Sequence, residues 1–158
     1  MTRKALCDGL TNNNSGGYCM TFNDFKVLHS ETVMYYQIIE HDLKYIYSYM
    51  LKGDIDEHFN KIENRTLGQM VKMLKELDQS DGKPLISSSD YNFLSQITDN
   101  RNLWCHSNFT EFIYIKDWIY SKEYQKQCEK LQKDHDRVSK ACDILEEIRI
   151  DYCAKHRR

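Results

Sequence analysis

The chain has 158 residues, a formal net charge of -2 and a 41% apolar share, which suits one domain with its own core and argues against two domains or a disordered chain. No stretch approaches the roughly 20 apolar residues of a membrane helix, and Met1-Thr2-Arg3-Lys4 is not followed by a secretory segment, so a cytoplasmic protein without a membrane partner is expected. Residues 122–158 carry ten Lys or Arg against eight Asp or Glu, and the rest of the chain is net acidic. That excludes a broadly basic nucleic-acid surface and leaves room only for a local one.

Residues 1–22 include the polar stretch Thr11 to Gly17 and read as a flexible tail ahead of a helical domain over 23–158. From Phe25 the positions Leu28, Thr32, Tyr35, Ile39, Leu43, Ile46 and Met50 recur at three and four and form one face of a first helix, ended by Gly53-Asp54. Thr66 and Gln69 carry the capping-box spacing, and Leu67, Met70, Val71, Leu74 and Leu77 form the buried stripe of a second helix. The single proline lies in the turn Asp81-Gly82-Lys83-Pro84, followed by the candidate N-caps Ser87 to Ser89.

A third helix is predicted from about Asp90 to Phe109 and a last one from about Lys122 to Cys153, joined by the aromatic connection Phe112 to Tyr120. On the last helix Tyr124, Cys128, Leu131, His135, Val138, Cys142, Leu145 and Tyr152 form the seam of a helix packed nearly antiparallel on its neighbours. Phe112 to Ile119 is the one β-like run. The expected architecture is all-α, an up-and-down bundle of four main helices.

The six Cys residues form no C-x-x-C pair and lie beside no suitable His pair, so they read as small buried apolar groups, with no metal and no cofactor expected. Chemistry concentrates on the third helix. Its apolar stripe Tyr91, Leu94, Ile97 continues through Arg101 to Trp104, and a guanidinium there must be paired, snorkelling outward or aimed at an anion. His106 suits proton transfer near neutrality, and Asn102, one turn before it, is placed to reach it. Arg101 and His106 lie about 140° apart around one helix, so a single copy aims them at different walls.

The string Asn100-Arg101-Asn102-Leu103-Trp104-Cys105-His106, late in a long helix of a small all-α bundle, resembles the mark of the HEPN superfamily (higher eukaryotes and prokaryotes nucleotide-binding), which is Arg, often a polar residue, then His a few residues on. The resemblance covers the chain from about residue 23, with Arg101, Asn102 and His106 as its motif matches. It implies a HEPN-like bundle that forms a homodimer and acts as a metal-independent endoribonuclease in a toxin or phage-defence setting. It further implies a composite cleft at the dimer interface, where His106 serves as general acid or base, Arg101 stabilises the phosphorane and Asn102 orients them. An antitoxin or nucleotidyltransferase partner is one setting for such a protein, although the subtype with Tyr two residues after the His is not matched, since Asn108 stands there. The alternative from a different class is a non-catalytic dimerisation or nucleotide- or RNA-binding module.

Overall fold

The computed structural model describes residues 20–80 and 82–155, at 153 the backbone alone, and its regular structure is helical throughout. The tail up to residue 19, Cys7, Cys19, the Cys153 thiol, Asp81 and the cationic terminus from His156 to Arg158 therefore lie outside the described residues. Five α-helices follow in order: α1 (Phe22–Met50), α2 (Ile55–Ile62), α3 (Leu67–Asp78), α4 (Ser88–His106) and α5 (Lys122–Lys155). Two 3₁₀ turns follow α4, Asn108–Glu111 directly after it and Trp118–Tyr120 at the end of the connection that read as β-like. No helix among the described residues is long and apolar enough to cross a membrane.

The helix ends follow local chemistry. Thr21 caps α1 through its hydroxyl to the Asp24 N–H at 3.2 Å, and Ser87 caps α4 through the Asp90 N–H at 3.1 Å. At α3 the Gln69 side chain accepts from the Thr66 N–H at 3.0 Å, the return half of a capping box. Chain reversal after α1 uses Gly53 at φ +120°, a conformation that a Cβ makes costly.

Four of the five helices match the sequence expectation; the short α2 is the addition. It doubles back along α1, bringing Phe59 within 5.5 Å of the His41 and Tyr45 rings and the Glu63 carbonyl within 2.7 Å of Lys44 Nζ. Its direction restores the alternation. Gly68 meets Thr98 and Asp78 meets Tyr91, so α3 and α4 are antiparallel. Trp104 and Arg137 pair with Asp134 and Gln96 respectively, so α4 and α5 are antiparallel too. With an odd number of alternating helices, the first and last run the same way. Phe25 lies beside Tyr124 and Asp42 beside Arg149, which makes the α1–α5 pairing parallel and corrects the expectation that the last helix opposes all its neighbours.

The core is one cluster drawn from every helix, including Phe25, Ile39, Leu43, Ile46, Leu74, Trp104, Leu131 and Leu145. α1 is the hub and touches each other helix. The apolar stripes are those of the sequence with small rotations: Tyr36 is buried where Tyr35 is only half-buried, and Asp78 is buried in place of Leu77.

Asp78 explains its own burial. Its carboxylate accepts from the Leu85 and Ile86 N–H groups at 2.7 and 2.9 Å and from the Tyr91 hydroxyl at 3.0 Å, closing the α3–α4 loop. Burial, with the neighbouring Asp78 charge second, raises the Tyr91 phenol well above its ordinary value, so it remains a donor. Asp78→Ala strands three donors, two of them buried, and is expected to cost about 4 kcal/mol in urea unfolding. Gly68→Ala should also destabilise, against the gain of about 1 kcal/mol that helix propensity alone promises. Its Cβ would lie 2.9 Å from the Thr98 methyl, whose rotamer is held by the Thr98 hydroxyl bond to the Leu94 carbonyl at 3.1 Å.

Candidate functional site

The orientation of α4 is set by one buried carboxylate on α5. Asp134 accepts from the Trp104 indole N–H at 2.7 Å and from the Asn100 amide at 2.9 Å. Both donors belong to the string that carries the motif, so Asn100, its first residue, is an anchor holding the helix at a fixed rotation. His29 adds a second clamp: its Nε2 lies 2.8 Å from the Trp104 carbonyl, while its ring packs edge-on against Phe109 at 5.3 Å.

With Trp104 and Asn100 turned to α5, helical geometry distributes the rest. Arg101 and Cys105 face α1, where they line a cleft of about 430 Å³ with Tyr36, Gln37, Lys44 and Phe59 among its walls. His106 lies about 200° around the helix from Trp104 and is exposed at the last position of α4. Arg101 and His106 therefore point to different walls of one chain, as their spacing requires. Asn102 is exposed, and its carbonyl oxygen accepts from Arg101 Nη1 at 3.5 Å, the outer limit of a hydrogen bond. The expected approach of Asn102 to His106 is not formed; the adjacent guanidinium holds the amide instead.

The cleft explains how a guanidinium can occupy a core-facing stripe. Arg101 is half-buried and forms no ion pair with a described residue, whereas Lys44 is engaged by Glu40 Oε1 at 2.9 Å and by the Glu63 carbonyl. Beside it Tyr36 is 2% exposed, and its hydroxyl is sealed from solvent with no hydrogen-bond partner among the described residues. Burial raises that phenol above its ordinary value, and the nearby Asp134 and Cys105 raise it further, so it is a neutral donor. The cleft thus offers a forked cation to an anionic group, with Glu40 and Glu63 also on its walls. Tyr36 and Lys44 escaped the sequence reading, although a Lys on the core side of the first helix was a usable signal.

At the α4–α5 end of the molecule the aromatic cluster divides. Phe109, Phe112 and Trp118 pack inward with Phe22, Phe25 and Tyr124, the Phe112 and Tyr124 rings being 5.3 Å apart. Tyr114 and Tyr120 are 87% and 84% exposed. Of the thiols, Cys128 and Cys142 are buried as packing groups, while Cys105 is exposed on the cleft wall.

The anchor and the motif residues separate in a stability measurement. Asp134→Ala leaves two donors unpaired and is expected to cost about 3 kcal/mol in urea unfolding, while the exposed Asn102→Ala should stay within about 0.5 kcal/mol of wild type. A scan against protein-family models matched none, and neither the curated proteins nor the solved structures gave a match.

Proposed function

We propose that the chain is an endoribonuclease of HEPN type that works as a homodimer, with Arg101 and His106 of both copies around a shared cleft. The observation that carries this reading is the presentation of the pair. A rigidly anchored helix ends in an exposed His106 that has no hydrogen bond to a described residue, and it carries an Arg101 free of ion pairs among the same residues. A second copy of that helix is the simplest way to bring an imidazole and a guanidinium to one phosphate.

In the proposed reaction the 2′-oxygen of RNA attacks the adjacent phosphorus, and the P–O5′ bond breaks. One imidazole takes the 2′-hydroxyl proton and a proton is delivered to the departing O5′, leaving a 2′,3′-cyclic phosphate and a 5′-hydroxyl. Arg101 supplies forked donors to the phosphorane oxygens, where negative charge accumulates. Asn102, already beside Arg101, restrains that guanidinium more directly than it restrains the imidazole. The toxin or defence setting, with an antitoxin or nucleotidyltransferase partner, belongs to the same proposal.

Purified protein is expected to cut RNA in EDTA and to leave cyclic phosphate ends. His106→Ala and Arg101→Ala should each lower the rate by about 10² to 10⁴. Equal cleavage by all three proteins would refute the assignment.

One feature favours the non-catalytic alternative, a nucleotide-binding module: the cleft that holds Arg101 lies within a single chain. On that reading Arg101→Ala weakens ATP binding in calorimetry, His106→Ala leaves it unchanged, and no RNA pool is cut.

A further inference from the structure

The first half of α5 carries Lys122, Lys126, Lys130, Lys133, Arg137 and Lys140 at steps of four and three. At about 100° per residue these six fall within an arc of about 80°. The acidic residues of the same stretch, Glu123, Glu129, Asp134 and Asp136, lie outside that arc, and Asp134 is buried against Trp104 and Asn100. None of the six cations forms an ion pair with a described residue; all but the half-buried Arg137 are exposed. Elsewhere Lys44, Lys61, Arg149 and Lys155 each have a carboxylate.

Like charges one turn apart repel and weaken a helix. Glu129 and Asp136 border the row, yet neither pairs with one of its cations, so the repulsion along it is relieved when a polyanion lies there. The row also has a definite place. Lys130 lies 5.9 Å over the Trp104 ring, Arg137 lies 5.6 Å over Phe93 and bonds Gln96, and Lys126, Lys130, Lys133 and Arg137 line a shallow recess of about 580 Å³ together with Glu129, Asp134 and Asp136. It therefore follows the seam between α4 and α5. Its Lys122 end meets the connection that leaves α4 at His106 and carries the exposed Tyr114 and Tyr120.

We infer that this edge of α5 is a track for the phosphates of single-stranded RNA, with Tyr114 and Tyr120 stacking bases where the track reaches the His106 end of α4. The choice of RNA as the polyanion rests on the ribonuclease reading. The single strand follows from the geometry. One cation per turn gives a nearly straight line of charge with a repeat of about 5.4 Å, which an extended strand can follow, while each strand of a duplex winds away from it. Exposed phenol rings are useful to unpaired bases, whose faces are free, and not to bases stacked inside a helix. The near-neutral total charge is compatible with such a site because the six unpaired cations share one arc of α5, with acids only at its borders.

The test is fluorescence anisotropy with a labelled oligouridine, in a His106→Ala background so that the strand is not cut, across a range of salt concentrations. Replacing Lys126, Lys130 and Lys133 by Gln should reduce the slope of log affinity against log salt by about 2 and raise Kd by about tenfold or more. Arg at the same three positions should keep the slope. Tyr114→Ala and Tyr120→Ala should each raise Kd roughly fivefold to a hundredfold with the slope unchanged. Unchanged Kd and slope in the Gln variant would overturn the track, and so would oligoglutamate competing as well as RNA of equal charge, which would assign the face to an acidic protein. Cleavage by wild type beside unaffected binding in the Gln variant removes the track alone. Loss of binding in that variant beside no cleavage by wild type removes the ribonuclease alone.

Discussion

Asp134 is the contact on which the geometry of the candidate site depends. A carboxylate in a helical core is expensive to desolvate, and here two N–H donors from one neighbouring helix offset that cost, the Trp104 indole and the Asn100 amide. Because the donors are one turn apart on α4, the pair fixes rotation as well as distance. Apolar packing alone tolerates a helix turned by several degrees, whereas two short bonds to one carboxylate do not. Everything that follows on α4 inherits this setting: Arg101 and Cys105 toward α1, His106 outward at the helix end, and Trp104 beneath Lys130.

The same device recurs at the other joints. Asp78 gathers the loop between α3 and α4, and Asp42, buried on α1, meets Arg149 Nε of α5 at 3.0 Å. Each buried carboxylate specifies a register that the apolar stripes leave loose. Hydrophobic periodicity made most of the fold readable, because α1, α3, α4 and α5 are amphipathic helices whose stripes repeat at three and four. It could not reveal α2: eight residues with Ile62 as the sole buried position provide too short a pattern. Nor could it reveal the parallel pairing of α1 and α5, which follows from the extra reversal that α2 introduces. The aromatic connection looked strand-like because Ile and Tyr favour strands, yet Phe112 and Trp118 are drawn into the core and the backbone turns to follow them.

The candidate site was readable at the level of residue types and less so at the level of contacts. Arg101 stood out as a cation on an apolar stripe, and the structure gives it a cleft to occupy. The proposed Asn102 to His106 contact relied on shared helical faces, but a guanidinium next door competes for the amide oxygen. Asn100, beside the motif residues and given no role by the sequence, proves to be an anchor, which depends on Asp134, thirty-four positions away. Net charge was also an incomplete guide. Summing Lys and Arg against Asp and Glu erases the sorting of charge around a helix, and projection at 3.6 residues per turn restores it.

Rotation, charge sorting and exposure bear on one question, which is how a chain with diverging Arg101 and His106 could act on a single phosphate. Movement within one copy is a poor answer, since bringing the two together needs about 140° of twist in a helix clamped by Asp134 and His29. A second copy leaves every clamp in place. In the proposed homodimer it would place an outward imidazole of one α4 opposite the other chain's guanidinium, with the exposed end of that helix as the meeting surface. The α5 edge lies on the side of α4 that Trp104 and Asn100 face, away from His106, so a strand lying along it would leave that meeting surface open. Under the proposed reading, dimerisation and strand binding would compete for no shared face, and the connection bearing Tyr114 and Tyr120 would carry the strand from one to the other.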